Sequence, residues 1–404
     1  MIGLVLEGGG ARGSYEIGAY KAIMESGIEI SGVAGTSIGS INAAMIAQGD
    51  LEKAYQLWHN ITPSSLFDVD DKRLHELKEF EINKDNISYM WKKIKKIFKN
   101  RGIELDKIRR LLLENINEEL IRSSQIDFAL VTINLSDMKP MELYIEDIPE
   151  GKLIEYIMAS SYLPVFKMEK MDGKYFLDGG IYDNLPIKLL RDKGYSEVIA
   201  IRTHSIGRLR NIDNDDIKII HIAPQEELGN ILDFTQEKMR YNLKLGYYDT
   251  LKVLRNLKGS KYYIEVDKKE KDYINTLFKL EEKQIGEISS LLNIKNTGIG
   301  SRRLLFEHII PKLVNILDID KDANYDEIIL SLLEMAAKNL NLERFSIYTY
   351  KDLLSKICEG YNKKTRQYHT EDIPSFIKNN DILSRTVKEK ILYEILEVLF
   401  CDKT

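Results

Sequence analysis

The sequence predicts an α/β domain, a central sheet flanked by helices, followed by a mainly α-helical C-terminal domain. Three observations lead there. Short β-branched runs alternate with amphipathic stretches through residues 1–225, the pattern of a sheet covered on both faces. Eleven of the 25 glycines fall within residues 1–50, where the backbone must turn tightly and approach ligands. Six of the eight prolines precede Gln225, and beyond it apolar residues recur at helical spacing, as in Leu228, Ile231 and Leu232.

The elements follow in order. Ile2–Leu6 is a short buried strand. Residues 15–26 form a helix stopped by Gly27. Residues 30–34 read as a second strand and 40–47 as a helix ended near Gly49. The β-branched run 126–133 is a strand, and 175–177, 198–202 and Lys218–Ile222 are further strands. The first domain is expected over 1–225, reaching about 255 with the helix that follows, and a helical domain of unassigned role over 256–404. Within that second domain 258–266 reads as a short strand and the rest as helix.

Composition bounds the function. The chain has 404 residues, 44% hydrophobic and 30% charged, a globular profile. A net charge of −5 argues against whole-molecule attraction to nucleic acid. Cys358 and Cys401 are the only cysteines, which implies no disulfide framework and fits a reducing compartment. No signal-peptide pattern opens the chain, and no run approaches the roughly 20 apolar residues of a spanning helix. A cytoplasmic location is expected, with any membrane contact peripheral. No metal-ligand spacing is present, so no metal is expected.

Residues Gly35-Thr36-Ser37-Ile38-Gly39 spell G-x-S-x-G between a strand and a helix. A serine hydroxyl is a poor nucleophile unless it is exposed, aimed and deprotonated by a neighbour. A sharp strand-to-helix turn exposes it, and crowding there requires small residues two before and two after. Gly35 and Gly39 meet that need. The helix that follows points its N-terminus at the site, favouring developing negative charge. The bland reading is a glycine-rich turn with an incidental serine.

Gly8-Gly9-Gly10-Ala11-Arg12-Gly13 follows the first strand and allows two readings. It satisfies the dinucleotide fingerprint, which wants an acidic residue about 20 positions on, at the end of the second strand. Glu25 and Glu29 precede that strand instead. The other reading is an oxyanion hole, whose backbone N–H groups hold the charge that acyl transfer puts on a carbonyl oxygen. Arg12 reads either as a charge for an anionic substrate group or as a locally paired arginine.

Asp178 stands where a strand ends and Gly179-Gly180 begins. Alone, Asp-Gly-Gly is a turn. Beside a serine elbow it is a candidate base, which works only if burial raises its pKa. His204 follows the 198–202 strand, and the order Ser37, Asp178, His204 would suit a triad in which Asp178 orients the histidine.

The ordered set of blocks resembles the patatin-like phospholipases, acyl hydrolases with a Ser–Asp dyad. The blocks are the 8–13 loop, the 35–39 elbow, Ala159-Ser160 with Pro164 and Phe166, and Asp178-Gly179-Gly180 with Asn184 and Pro186. The resemblance covers residues 1 to about 225, and the helix through Tyr247. It implies a patatin-like sheet, Ser37 as nucleophile, Asp178 as base and the 8–13 loop as oxyanion hole. It also implies a phospholipid or other acyl-ester substrate, an acyl-enzyme, and no cofactor or calcium.

Residues 88–102 hold six basic side chains and no acidic one, with Met90, Trp91, Ile94, Ile97 and Phe98 on one helical face. The segment reads either as a dock for an anionic membrane or as an ordinary core-packed helix. Rival readings of the whole chain are a soluble carboxylesterase or thioesterase with the same dyad, a nucleotide-binding module, and an inactive membrane-binding interaction protein.

Overall fold

The computed structural model describes residues 1–67, 105–162, 166, 169–210, 217–267, 269–294, 298–364 and 385–401. The basic segment 88–102 and Pro164 lie outside the described residues. The chain divides into two compact units, Met1–Val253 and Leu254–Thr404.

The first unit is built on strands β1 (Ile2–Leu6), β2 (Ile30–Thr36), β3 (Asp127–Asn134), β4 (Lys139–Tyr144), β5 (Phe176–Asp178), β6 (Glu197–Ile201) and β7 (Lys218–Ile222). Their order is β4-β3-β2-β1-β6-β7, with β5 also on β3. β1, β2, β3, β6 and β7 are parallel, while β4 and β5 run antiparallel to β3. Helices flank the sheet: α1 (Gly13–Glu25), α2 (Ile38–Ala47), α3 (Leu51–Asn60), α4 (Pro63–Leu66), α5 (Asp106–Asn115), α6 (Glu118–Arg122), α7 (Leu153–Ser160), α8 (Ile187–Asp192) and α9 (Gln236–Arg255). Leu4, Val5 and Leu6 of β1 are all fully buried, as expected of a central parallel strand covered on both faces.

Two differences from the sequence reading have plain causes. α1 starts at Gly13 because a 3₁₀ turn over Gly10–Arg12 runs straight into it. β4 was not expected; it carries Pro140 and weak alternation, which a strand on the edge of the sheet tolerates.

The sheet register sets the site. On one edge of β3, β4 pairs along Ala129 to Asn134. On the other edge β2 pairs up to Thr36 opposite Val131, and β5 takes over with Asp178 opposite Thr132. β2 and β5 therefore meet end to end along β3. The residue after β2 is Ser37, and the last residue of β5 is Asp178.

The second unit carries α10 (Glu270–Phe278), α11 (Glu282–Leu291), α12 (Ile310–Leu317), α13 (Tyr325–Asn339), α14 (Tyr350–Lys364) and α15 (Arg385–Leu396). Leu333, Leu353, Ile357 and Ile395 are fully buried in its core. The unit is mainly helical with a short strand, as expected, and departs from that expectation only in a second strand. β8 (Tyr263–Glu265) lies within the anticipated strand, but it pairs in parallel with β9 (Ile347–Thr349), three residues too short to leave a pattern. Buried Glu334 on α13 accepts from the Lys261 and Tyr262 N–H groups at 2.7 and 2.8 Å and so fixes the entry to β8. Cys358 and Cys401 form a disulfide with Cα atoms 5.5 Å apart, which corrects the expectation drawn from cysteine number alone. Spacing of 43 residues gives no hint of pairing until α14 is placed beside the C-terminal turn. Among the described residues no helix is long and apolar enough to cross a membrane.

Candidate active site

Ser37 sits between β2 and α2 with φ 57° and ψ −134°. An L residue rarely adopts that conformation, at a cost of order 1–3 kcal/mol. The surroundings hold it there. Its N–H donates to Ser160 Oγ at 3.0 Å, and the Ser160 hydroxyl donates to Val131 O at 2.7 Å. Ser40 Oγ donates to Ser37 O at 2.6 Å, and Thr36 Oγ1 donates to Asp183 O at 2.9 Å. Both elbow glycines are sterically obligatory. A Cβ on Gly35 would lie 2.2 Å from Gly39 O, and one on Gly39 would lie 2.7 Å from Leu6 O. Backbone cannot yield as a flexible side chain would, so Gly35→Ala should destabilise the protein by about 1–3 kcal/mol or more. A thermal melt checks this; an unchanged midpoint would mean that the turn relaxes freely.

Asp178 is 5% exposed. Its Oδ1 accepts the Gly180 N–H at 2.7 Å, while Oδ2 is buried without a hydrogen-bond partner. Burial pushes its carboxyl up to about 6, opposed by the adjacent Ser37 hydroxyl and by the Gly180 N–H. Ser37 and Asp178 are thus close enough to interact, but no well-aligned hydrogen bond joins Ser37 to Oδ2. Such bonds often align only when substrate is bound. Gly179 packs under this loop, where a Cβ would lie 2.2 Å from Val131 O. Gly180 O accepts the Arg208 N–H at 2.8 Å, and Asn184 N–H donates to Arg208 O at 2.8 Å, so the 205–210 loop braces the aspartate turn.

The 8–13 loop has φ of 78°, 106° and 61° at Gly8, Gly9 and Gly10. Of the six residues expected to supply N–H groups, four are otherwise committed. Gly8 donates to Glu16 Oε1 at 2.6 Å, and Ala11 donates to Ile231 O at 2.8 Å. Arg12 donates to Gly9 O at 3.3 Å, and Gly13 to the Gly10 and Ala11 carbonyls. Gly9 and Gly10 carry no such bond among the described residues, which narrows the candidate donors to these two. The Arg12 guanidinium donates to the carbonyls of Gly229 and His204, both at 2.8 Å, and so clasps the backbone instead of facing a substrate charge. Burial lowers its pKa, partly offset by Glu7.

A cavity of about 110 Å³ opens beside Ser37 and Gly10. Its walls are apolar and aromatic, including Trp58, Leu66, Phe67, Phe166 and Phe234. Trp58 stacks on Phe234 and Phe67 on Phe166, with centroids 6.2 and 6.4 Å apart. The chemistry available is that of a hydrocarbon slot ending at a hydroxyl, a raised carboxyl and two backbone donors. Among the described residues no three His, Cys, Asp or Glu side chains are grouped to hold a metal ion.

His204 is exposed, at φ 51°. The groups acting on the Asp178 carboxyl are Ser37 and Gly180, with no contribution from His204. A phosphate at the glycine loop would find the Gly8 N–H already taken by the Glu16 carboxyl.

Several supporting residues were missed from sequence. Glu7 is fully buried and bonds Arg202 Nε at 2.9 Å and the Thr203 N–H at 2.7 Å, tying the end of β1 to the end of β6. Glu16 is fully buried on α1, where burial pushes its carboxyl up to about 8. Asn42, one of the few polar residues of an otherwise apolar α2, was the legible signal; Glu7 and Glu16 look like ordinary surface acids in the sequence.

Residues 4–191 match the family model described as patatin-like phospholipase. The human patatin-like phospholipase domain-containing protein 6 is 31% identical over 208 residues, covering 50% of this chain and 13% of its own length. A lysophospholipase of Aspergillus terreus is 28% identical over 209 residues, covering 51% of this chain and 12% of its own. The matched part therefore spans about an eighth of these curated relatives. Among solved structures, VipD from Legionella pneumophila is similar at a TM-score of 0.38 and 14% identity, over 99% of this chain and 91% of that one.

Proposed function

We propose, from the match of residues 4–191 to the patatin-like phospholipase family model, that this protein hydrolyses lipid acyl esters with a Ser37–Asp178 dyad and an acyl-enzyme intermediate. The observation that carries the reading is the end-to-end meeting of β2 and β5 along β3. It sets a strained serine against a buried carboxylate whose Oδ2 has no hydrogen-bond partner. The apolar cavity beside Ser37 supports an acyl chain as the group bound.

Ser37 Oγ attacks the acyl carbonyl as its proton passes to Asp178 Oδ2. The oxyanion is held by the N–H groups of Gly9 and Gly10, reinforced by the N-terminus of α2. Asp178 returns the proton to the departing alcohol or lysolipid. Water then attacks the acyl-enzyme with Asp178 again as base; the bond to Ser37 Oγ breaks, Asp178 returns the proton to Ser37, and the fatty acid leaves. The same dyad would serve a soluble carboxylesterase, but the cavity favours a hydrocarbon chain over a short acyl group. Contact with membranes belongs to this proposal as well.

Fatty-acid release from phospholipid and lysophospholipid vesicles tests it. Asp178 must be ionised to accept the proton, and its pKa is raised to about 6. Turnover should therefore fall as pH drops through about 6 and level off above it. A limb centred near 4 would mean that an unperturbed carboxyl is the base. No release from either lipid, with short esters cleaved well, would favour the soluble esterase.

A further inference from the structure

The Gly8 N–H, the first donor of the glycine loop, points away from Ser37 chemistry and into a buried polar relay. Gly8 N–H donates to Glu16 Oε1 at 2.6 Å. Asn42 Nδ2 donates to Glu16 Oε2 at 2.7 Å and to Gly13 O at 2.9 Å. Asn42 Oδ1 accepts from Trp58 Nε1 at 2.8 Å. Glu16 and Asn42 are essentially unexposed, and Trp58 is 6% exposed. Trp58 and Asn42 also line the cavity beside Ser37.

The direction of every bond is fixed by chemistry. An indole nitrogen can only donate, so Asn42 must turn Oδ1 to Trp58 and Nδ2 to Glu16. A backbone N–H can only donate, so Glu16 must accept from Gly8 as well. Each Glu16 oxygen therefore accepts, which a carboxylate does with both oxygens and a protonated carboxyl does with its carbonyl and its hydroxyl oxygen, whereas a glutamine there would set one N–H₂, which cannot accept, against a donor whichever way it turned. Turning Asn42 to relieve that clash would put its own N–H₂ against the indole and leave Gly13 O without its partner.

We propose that Glu16 is a positioning residue for the acyl-transfer step: by holding Gly8 on one side and Asn42–Trp58 on the other, it sets the glycine loop so that Gly9 and Gly10 face the oxyanion. The loop needs such a hold. Its three glycines lie at positive φ and have no side chains of their own to anchor it. The relay ties the loop at both ends, Gly8 and Gly13, to a rigid helix and to the wall that an acyl chain would touch. The inference rests on the dyad reading given above.

The test compares wild-type protein with Glu16→Gln and Trp58→Phe on p-nitrophenyl butyrate and on phosphatidylcholine vesicles containing phosphatidylglycerol. Loss of one oxyanion donor costs about 10²–10³ in kcat. A misaligned loop should cost Glu16→Gln about 10- to 100-fold in kcat with KM within about threefold. Trp58→Phe keeps an aromatic wall but deletes the donor, and should lose kcat by about 3- to 10-fold. The double variant should lose little more than Glu16→Gln alone, because the relay acts as one unit. An acyl trifluoromethyl ketone places an oxyanion in the same loop and should weaken by a factor close to the loss in kcat/KM. A merely structural role would lower the melting temperature and leave kcat and ketone affinity unchanged. A folded Glu16→Gln with kcat within about twofold of wild type overturns the inference. Should that variant fail to fold, Trp58→Phe decides: unchanged kcat and ketone affinity overturn it. A wild-type protein inert on both substrates overturns the hydrolase reading instead, and this inference with it.

Discussion

Ser37→Ala is expected to lower acyl-ester hydrolysis by about 10⁴- to 10⁶-fold, the scale seen when a serine nucleophile is removed and only binding and oxyanion stabilisation remain. The reason is geometric. Ser37 is the single residue that the elbow holds at φ 57°, wedged by Gly35 and Gly39 and pinned through Ser160 to β3. Alanine keeps that backbone, since the Ser37 N–H and C=O make the anchoring bonds and the hydroxyl does not. The melting temperature should accordingly move by only a few degrees, and the protein should still bind lipid. Residual turnover above about 1% of wild type would place the nucleophile elsewhere.

Asp178→Asn should lower kcat by about 10³- to 10⁴-fold and, in contrast to most buried substitutions, stabilise the fold at neutral pH. Burial raises the Asp178 pKa from 3.8 to about 6. The folded protein therefore holds this proton more tightly than the unfolded chain, and ionising it destabilises the fold. The penalty is absent below about pH 3.8, grows as pH rises through the window, and is complete above about 6, where it amounts to roughly 3 kcal/mol. Asparagine pays no such charge cost. Its oxygen can keep the Gly180 N–H, and its N–H₂ would face Ser37, whose hydroxyl can accept. Melting temperatures of the two proteins should diverge at pH 8, stay about half as far apart near pH 5, and converge only as pH falls towards about 3.8. Parallel curves would mean that Asp178 is not held at a raised pKa. Stability given up for an ionised base is the expected trade at a catalytic carboxylate.

Much of this architecture was legible because its signals are local. The glycines at 8–10, 35 and 39 announce positive φ or close backbone approach, and the structure puts backbone atoms within 3 Å of a Cβ at Gly8, Gly10, Gly35 and Gly39. β1, β6 and β7 are β-branched runs whose limits fall within a residue of the expectation. What escaped was relational. β4 and β9 form because a partner edge is available, not because their own sequences demand it. Glu7 and Glu16 are acidic residues in apolar surroundings, and only the tertiary fold reveals that their oxygens face loop N–H groups. Arg12 could be read two ways from sequence, and the choice waited on the carbonyls of Gly229 and His204, some 200 residues away. The disulfide likewise depends on two segments brought together only by the fold of the second unit.

The most direct test of the central claim is to trap the nucleophile. The protein would be treated with an alkyl fluorophosphonate, digested, and the adduct located by mass spectrometry. The account predicts one modified residue, Ser37, no adduct at that peptide in Ser37→Ala, and labelling slowed by orders of magnitude in Asp178→Asn. An adduct on a different residue, or Ser37 labelling as fast in Asp178→Asn as in the wild type, would contradict it.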